Sequence, residues 1–577
     1  MDTMPDADLI TKFSADLDSF DSSMDSFLSD FNKFADNYRL KTKTKKRGDL
    51  GSFHNTFVPE LTRAVESLAT THYRMMTAQD PNFFPLALHP RVSEQSLQAA
   101  TTLLRYQMEH LEYNRKLLSA LRSCALFGTV IIEEAFVPFP FGSPNTIAKG
   151  TDFIPRSLLQ VAFESSCSDI EDADWIAITD WITVDKLKKF VKSDLSGTTW
   201  DKENIGKAIE SNGNYRSLPR RVQERKIQAG YNVQDKNILE MVTFWRANPE
   251  AEDDLGDWVF RVINRQFMIS KHPSPFKHGI RPFRVARYVD FELEPYGYGA
   301  GAFGDRALTD INYNRNRLMD LITFAVYSMF KSGTGGPKDK DLKIKPFNVI
   351  KMDDPNALQT LRPLIEAATY GIKLEEILKD DYRAETGATN TLQASPLDVT
   401  ATEASIAQNE AIRRVGSYAE GIADRLIRRH IHVSHLNNIQ FLDNQYWVRV
   451  TGQEKPVQVY PSLLSPDIDF IVRLTTDKDF KTNRVRRIIE ALQVMATSKT
   501  TIQFTPQQID PLVQELYRAL GINPMLAPKM QTALQNMQSS QSVSQELLEE
   551  MPNTITSGQE PGIPEIQTPI GPVGVTP

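Results

Sequence analysis

Residues 297–330, GYGAGAFGDRALTDINYNRNRLMDLITFAVYSMF, most constrain what this chain of 577 residues can fold into. Four glycines (Gly297, Gly299, Gly301, Gly304) run into a proline-free stretch in which Ile311, Leu318, Leu321, Ile322, Ala325 and Met329 recur at helical spacing. Asp305 stands where a first-turn carboxylate faces the unpaired amides of a helix start. Gly333, Gly335 and Gly336 followed by Pro337 stop the pattern. The spacing predicts a long helix between two flexible joints, and its role depends on its neighbours.

So long a chain cannot close around one core, and roughly two to four domains are expected. A net charge of -7 argues against general wrapping of nucleic acid, while leaving room for local basic patches or a polymer that is threaded rather than gripped. Two cysteines, Cys124 and Cys167, point to a reducing compartment without a disulfide framework. The opening MDTMPDADLI is acidic where a signal peptide would be basic. The apolar runs 123–139, broken by Glu133 and Glu134, and 321–330 are too charged or too short to span a membrane.

Within residues 1–36, Leu9, Phe13, Leu17, Phe20, Met24, Phe27, Phe31 and Phe34 form the stripe of an amphipathic helix with an acidic outer face, interrupted around Asp21-Ser22-Ser23. KTKTKKR follows, either a solvated linker or a contact for nucleic acid or an acidic neighbour. Helices are predicted over 57–77 and 93–126, and a strand over 129–139 bounded by PFPFGSPN. From 153 to 290 short β-like runs dominate (158–163, 175–179, 239–245, 258–263, 267–269), with a helix at 184–191 and a polar excursion at 194–236. Arg216, Arg220 and Arg221 make the basic patch of that excursion. Residues 282–289 read as a strand leading into the glycines. Beyond Pro337 come strands at 342–345 and 348–352, a helix at 357–377 interrupted by Pro363, an uncharged loop TGATNT (386–391) and a very long helix over 400–436. Strands at 446–450, 457–459 and 468–474 precede C-terminal helices whose opening face carries Arg484, Arg486 and Arg487, and a Pro/Gly-rich tail expected to be flexible alone.

Recognisable catalytic chemistry is missing from this pattern. There is no GxxxxGK[ST], GxSxG or HExxH, and the glycines at 297–304 lack the βαβ continuation of a dinucleotide site. His430, His432 and His435 are read as surface or helix-end histidines rather than metal ligands, and Asp353-Asp354 as a helix cap rather than a magnesium site. Glu133/Glu134 and Glu375/Glu376 show no partner arrangement in sequence. No catalytic residue, metal or cofactor is expected.

The order of parts, and in particular PFRVARYVDFELEPYGYGAGAFGDRALTDINYNRNRLMDLI and TATEASIAQNEAIRR, resembles the portal (head-to-tail connector) proteins of tailed double-stranded DNA bacteriophages, most like those of short-tailed phages. The resemblance covers roughly residues 55–530 and leaves the acidic N-terminal helix unplaced. It implies a helix-rich α+β portal-type fold with wing, stem, clip and crown parts, assembling as a dodecameric ring at the capsid portal vertex of the virion after synthesis in the host cytoplasm. It divides the chain into an N-terminal helix and basic linker (1–50), wing (51–302), first stem helix (303–330), clip (331–356), second stem helix (357–380), tunnel loop (381–399), long wing helix with returning strands (400–474), crown (475–550) and tail (551–577).

The partners so implied are the other subunits, double-stranded DNA in the channel, the terminase large subunit, adaptor or tail proteins, and major capsid and scaffolding proteins, with no membrane. Lys331, Lys338, Lys340, Lys343 and Lys345 become candidates for channel or motor contact, each equally able to be a solvated or intersubunit charge. Thr386, Thr389, Asn390 and Thr391 become tunnel-loop candidates, and Leu318, Leu321, Ile322 and Ala325 intersubunit candidates. A virion DNA-binding module using the basic patches, or a metal-dependent nuclease using the Asp353-Asp354 or histidine groups, are the competing readings.

Overall fold

Short apolar runs rich in β-branched and aromatic residues form the central element, a five-stranded antiparallel meander. Its strands β4 (Val161–Phe163), β5 (Trp175–Thr183), β6 (Ile238–Ala247), β7 (Asp257–Ile263) and β8 (Phe267–Pro273) pair in chain order. The computed structural model describes residues 6–41, 54–78, 82–141, 143–193, 200–210, 238–247, 257–326, 329–332, 334, 354, 358–361, 366–388, 415–442, 446–448, 457–472 and 474. All lie in one of the chain's two units, Met1–Val450 with Lys455–Thr476; the other, Thr451–Glu454 with Asp477–Pro577, falls outside the described residues.

The N-terminal stripe covers one face of the meander. Helices α1 (Asp6–Ser23) and α2 (Asp25–Tyr38) bury Leu9, Phe13, Leu17, Phe20, Met24, Leu28 and Phe31 in the same cluster as Val242, Phe244 and Phe260. Phe13 stacks on Phe244 at 4.5 Å between ring centroids and leans on Phe260 at 5.0 Å. Each such ring contributes about 1.5–3 kcal/mol by burial. The acidic face is fastened too: Asp16 pairs with Arg246 at 2.7 Å, and Asp18 and Asp21 with Arg265 at 3.3 and 3.1 Å. The expected interruption falls at Met24 and is slight, because Met24 N still donates to Phe20 O and Leu28 N to Met24 O. The Ser22 and Ser23 hydroxyls donate back to Asp18 O and Phe20 O just before it. Two short helices, α6 (Val184–Ser193) and α7 (Lys202–Glu210), close a smaller cluster with Ile182, Leu239 and Ile263.

A larger helical layer holds α3 (Glu60–Thr77), α4 (Glu94–His110) and α5 (Tyr113–Phe127). The single helix expected over 93–126 is two, because Glu112 adopts a left-handed conformation (φ 54°) with no glycine to mark it. Each half has its own buried face, Leu103 and Leu104 on one and Leu117, Leu121 and Cys124 on the other, and tertiary packing sets the break.

The strand expected to end at 139 instead runs as β2 (Thr129–Phe141) and returns as β3 (Ser143–Arg156). PFPFGSPN is the hairpin end and not a boundary. Strand β9 (Phe283–Arg287) pairs only with Thr129–Glu133, so Pro138 and Pro140, two residues apart, turn their missing amides to the side it leaves uncovered. The remaining short pairs are β1 (Phe83–Ala87) with β14 (Ile468–Val472) and β12 (Tyr446–Val448) with β13 (Val457–Val459).

The glycine stretch feeds α8 (Asp305–Val326), which stops four residues short of Phe330. Met329–Ser332 is strand β10, antiparallel to β11 (Leu358–Leu361), where a helix was expected from 357. Helix α9 (Glu366–Thr386) begins only after Pro363, which cannot sit inside a helix. The expected strands at 342–345 and 348–352 lie outside the described residues.

Candidate functional site

Helices α8 and α9 form an antiparallel hairpin, and its root is built from the glycines. Gly128, the left-handed cap of α5 (φ 81°), lies so close to the 297–299 backbone that a Cβ on it would stand 2.2 Å from Gly297 O. A Cβ on Gly299 would stand 2.5 Å from Gly128 N. These glycines serve close backbone packing, so the first of the two joints is not a flexible one. Gly304 receives the Tyr382 ring, 2.2 Å from where its Cβ would be, so the end of α9 closes over the start of α8. Tyr382 is fully buried there.

A second device runs along α8. Asn312, Asn316 and Asp320, four residues apart and so on one face, accept from the backbone amides of Val58, Thr56 and His54 at 2.8, 2.7 and 3.0 Å. Four helical residues rise about 6 Å and two drawn-out residues about 6.6 Å, so alternate amides meet successive turns. Asn316 also donates to Thr56 O at 3.3 Å. Asn316→Ala is expected to destabilise the chain by about 1 kcal/mol in urea unfolding, since it removes both bonds between the buried Asn316 side chain and the Thr56 backbone, while the exposed Thr309→Ala changes stability little.

The seam between α8 and α9 is charged. Arg315 grips Glu375 with both Nε (2.7 Å) and Nη2, and Lys379 approaches Glu375 at 2.6 Å. Asn314 Nδ2 donates to Gly371 O at 2.8 Å, and Leu318 Cδ1 lies 3.3 Å from where a Gly371 Cβ would be, so α8 packs closely on that glycine, through which α9 runs unbroken. The Arg315 hydrogen bond, with Lys379 beside it, holds the Glu375 carboxyl below its ordinary value. A lowered carboxylate stabilises the fold above the unfolded-state value of about 4.3 and loses that contribution as pH falls through the folded-state value. The melting-temperature difference between wild type and Glu375→Gln should therefore be clear at pH 7 and shrink toward pH 3.

Outside this seam the hairpin exposes large hydrophobes among charged neighbours such as Arg317, Lys373 and Glu376. Tyr370 is 74% exposed, Ile377 59%, Leu374 47% and Ile322 45%, while Glu375 between them is 4% exposed. Several large exposed hydrophobes on one helical pair suit a surface that another covers.

The intersubunit candidates divide accordingly. Ile322 is on the exposed face, Leu318 and Leu321 are half-buried, and Ala325 is in the last turn of α8. Lys331 lies in β10; Lys338, Lys340, Lys343 and Lys345 are outside the described residues, as are Thr389, Asn390, Thr391, Arg216, Arg220, Arg221, Arg484, Arg486 and Arg487. Thr386 is not in a loop. It is the buried last residue of α9, its hydroxyl donating to Tyr382 O at 2.8 Å, and the helix ends on left-handed Gly387 (φ 72°).

The histidines are not at the surface either. Past a π-helical turn at Asp424–Arg428, helix α10 (Arg429–Phe441) buries His430 and His435. His430 Nδ1 meets Glu134 Oε1 at 2.9 Å, and His435 Nε2 meets Ser465 O at 2.7 Å. Glu134 also faces Arg284 at 3.0 Å, while Glu133 and Asp180 share Arg156. Glu133, Glu134 and Glu375, which show no partner in sequence, thus have partners far away in it, while Glu376 is exposed. Among the described residues no three histidine, cysteine or carboxylate side chains are placed to hold a metal ion, and no helix is long and apolar enough to cross a membrane.

No curated protein matches the chain. Residues 337–552 match the family described as the phage SU10 portal protein, a span that takes in α9, the π-helical turn and the returning strands. Joined to a helix-rich α+β fold with several antiparallel sheets, this partial match supports a portal-protein assignment of the chain at the level of the family.

Proposed function

We propose that the chain is the subunit of a ring at one capsid vertex through which double-stranded DNA is packaged and ejected. The family-level assignment supports this reading, since portal proteins are generally associated with those steps. The observation that carries it is the hairpin with Glu375 buried against Arg315 and Lys379 and with Tyr370, Leu374 and Ile377 exposed. A neighbouring copy covers such a face, and ring closure leaves no unmatched heterologous surface. In this reading α8 and α9 are the stem, 331–356 the clip, 387–399 the tunnel loop, 400–474 the long wing helix with its strands and 475–550 the crown.

The clip, with Lys331, Lys338, Lys340, Lys343 and Lys345, meets the terminase large subunit during packaging and the adaptor or tail proteins afterwards. Capsid and scaffolding proteins surround the ring. A net charge of -7 per subunit, repeated around a channel, disfavours the many phosphate contacts that would hold DNA still. Portal proteins are non-catalytic, and the chain acts as a conduit and docking platform in the virion.

Native mass measurement and negative-stain imaging of the purified chain should show a homogeneous ring with a central hole. A stable monomer at micromolar concentration that binds DNA with steep salt dependence would identify a DNA-binding module instead. Ile377→Asp, at an exposed position, should leave the subunit's melting temperature within about 2 °C while shifting assembly to at least ~10-fold higher concentration. Unimpaired assembly of this variant sinks the hairpin contact.

A further inference from the structure

The hairpin of α8 and α9 has two outward faces built on the same spacing. On α8, Arg306, Asp310, Tyr313 and Arg317 follow at intervals of four, three and four residues, about half a turn from Arg315, which faces α9. On α9, Tyr370, Leu374, Ile377 and Asp381 repeat those intervals on the side away from α8. All eight are exposed, Tyr313 at 60%.

Contacts inside the hairpin fix the height of each residue. With Arg315 on Glu375, Asn314 on Gly371 and Tyr382 over Gly304, Tyr313 comes level with Ile377, and Arg306 with the turn from Asp381 to Glu385. Rotation about an axis along the hairpins moves no residue up or down, so a neighbouring copy in a ring presents its faces at those same heights. The α9 face of one copy then meets the α8 face of the next as an antiparallel pair. Its middle is apolar, with Leu374 and Ile377 against the Tyr313 ring, which already carries the Arg317 guanidinium at 5.1 Å. Its end is charged, with Arg306 against Asp381 and Glu385, and none of these three has an ion pair among the described residues. Lys373 comes level with Arg317, the one meeting of like charge once Asp380 is set aside with its partner Arg383. The α8 face therefore shows two cations and one anion, Asp310, against two anions and one cation on α9, and the excess charges are opposite. Two α9 faces related by a two-fold axis along the hairpin would instead set Asp381 against Asp381.

We propose that the α8 face centred on Tyr313 seats the α9 face of a second copy of this chain, with Arg306 pairing to Asp381 and Glu385 across the contact. This rests on the ring reading above and adds which surface of the neighbour is met, and in which register.

The test uses the full-length chain in two ways. Arg306→Glu should raise the concentration needed for assembly at least ~10-fold with the subunit's melting temperature within about 2 °C, and adding Asp381→Arg should return it to within ~3-fold of wild type. Tyr313→Cys with Ile377→Cys, in a Cys167→Ser background with Cys124 left buried, should on mild oxidation give a ladder of covalent multimers longer than a dimer. Either cysteine alone should give none. Within one chain the two positions lie on opposite sides of the hairpin, ~20 Å apart and beyond the reach of a disulfide. Normal assembly of Arg306→Glu, or assembled rings that yield no ladder, overturns the seat while leaving the ring reading intact. A covalent dimer from Ile377→Cys alone assigns an α9-to-α9 contact and overturns it as well. A wild type that stays monomeric overturns both.

Discussion

Gly128→Ala is expected to lower the unfolding free energy by about 3 kcal/mol or more, among the largest effects of any single methyl in this chain. Two costs combine. The left-handed φ of 81° penalises any Cβ by about 1 kcal/mol, and that Cβ would meet Gly297 O at 2.2 Å and Tyr298 C at 2.4 Å. Both contacts are backbone, so no flexible side-chain tip can move aside. Gly279→Ala is the control: its φ is 69°, but nothing lies within 4 Å of the added atom, so only the conformational cost of about 1 kcal/mol remains. Urea unfolding of the two variants separates packing from backbone preference, and equal losses would show that the close approach carries no weight. Because Gly128 and Gly297 face each other, the double alanine variant should cost less than the sum of its parts.

The second large effect is expected at Glu134, whose carboxylate lies fully buried between Arg284 and His430. Glu134→Ala leaves a guanidinium that is 3% exposed without its counter-charge, and a loss of about 3–5 kcal/mol follows. The pair as a whole is worth much less than this, because ionic groups removed from water roughly offset their attraction with desolvation. Arg284→Met in the Glu134→Gln background should therefore recover part of the loss of Glu134→Gln alone, in the same urea measurement. Failure of that recovery would mean that Arg284 is held by its carbonyl contacts to residues 281 and 283 rather than by charge.

Elements whose information is local were readable from sequence. The spacing of Leu9, Phe13, Leu17 and Phe20 fixes one face of α1, and the five β-like runs from 158 to 269 became the five strands of the meander. Partners were not readable, because they are set across long separations: His430 and Glu134 are 296 residues apart, and Asn316 and Thr56 are 260 apart. A glycine run signals a flexible turn as readily as close packing, and only the position of Gly128 distinguishes them. Glu112 in a left-handed conformation carries no sequence mark, so the α4–α5 break was invisible. At Thr386 a signal was present, since Gly387 is a standard helix stop and places the threonine inside.

The N-terminal helices carry a consequence for the order of synthesis. Phe13 and Asp21 leave the ribosome long before Phe244, Phe260 and Arg265 exist. At ~5–20 residues per second that interval is about 10–50 s, far longer than an amphipathic helix needs to form. Throughout it the apolar stripe has no sheet to cover, and the like charges of the aspartates that flank it oppose self-association of the nascent segment. Those carboxylates then become the anchors to Arg246 and Arg265, so the same charges that guard the unfinished chain lock the finished one.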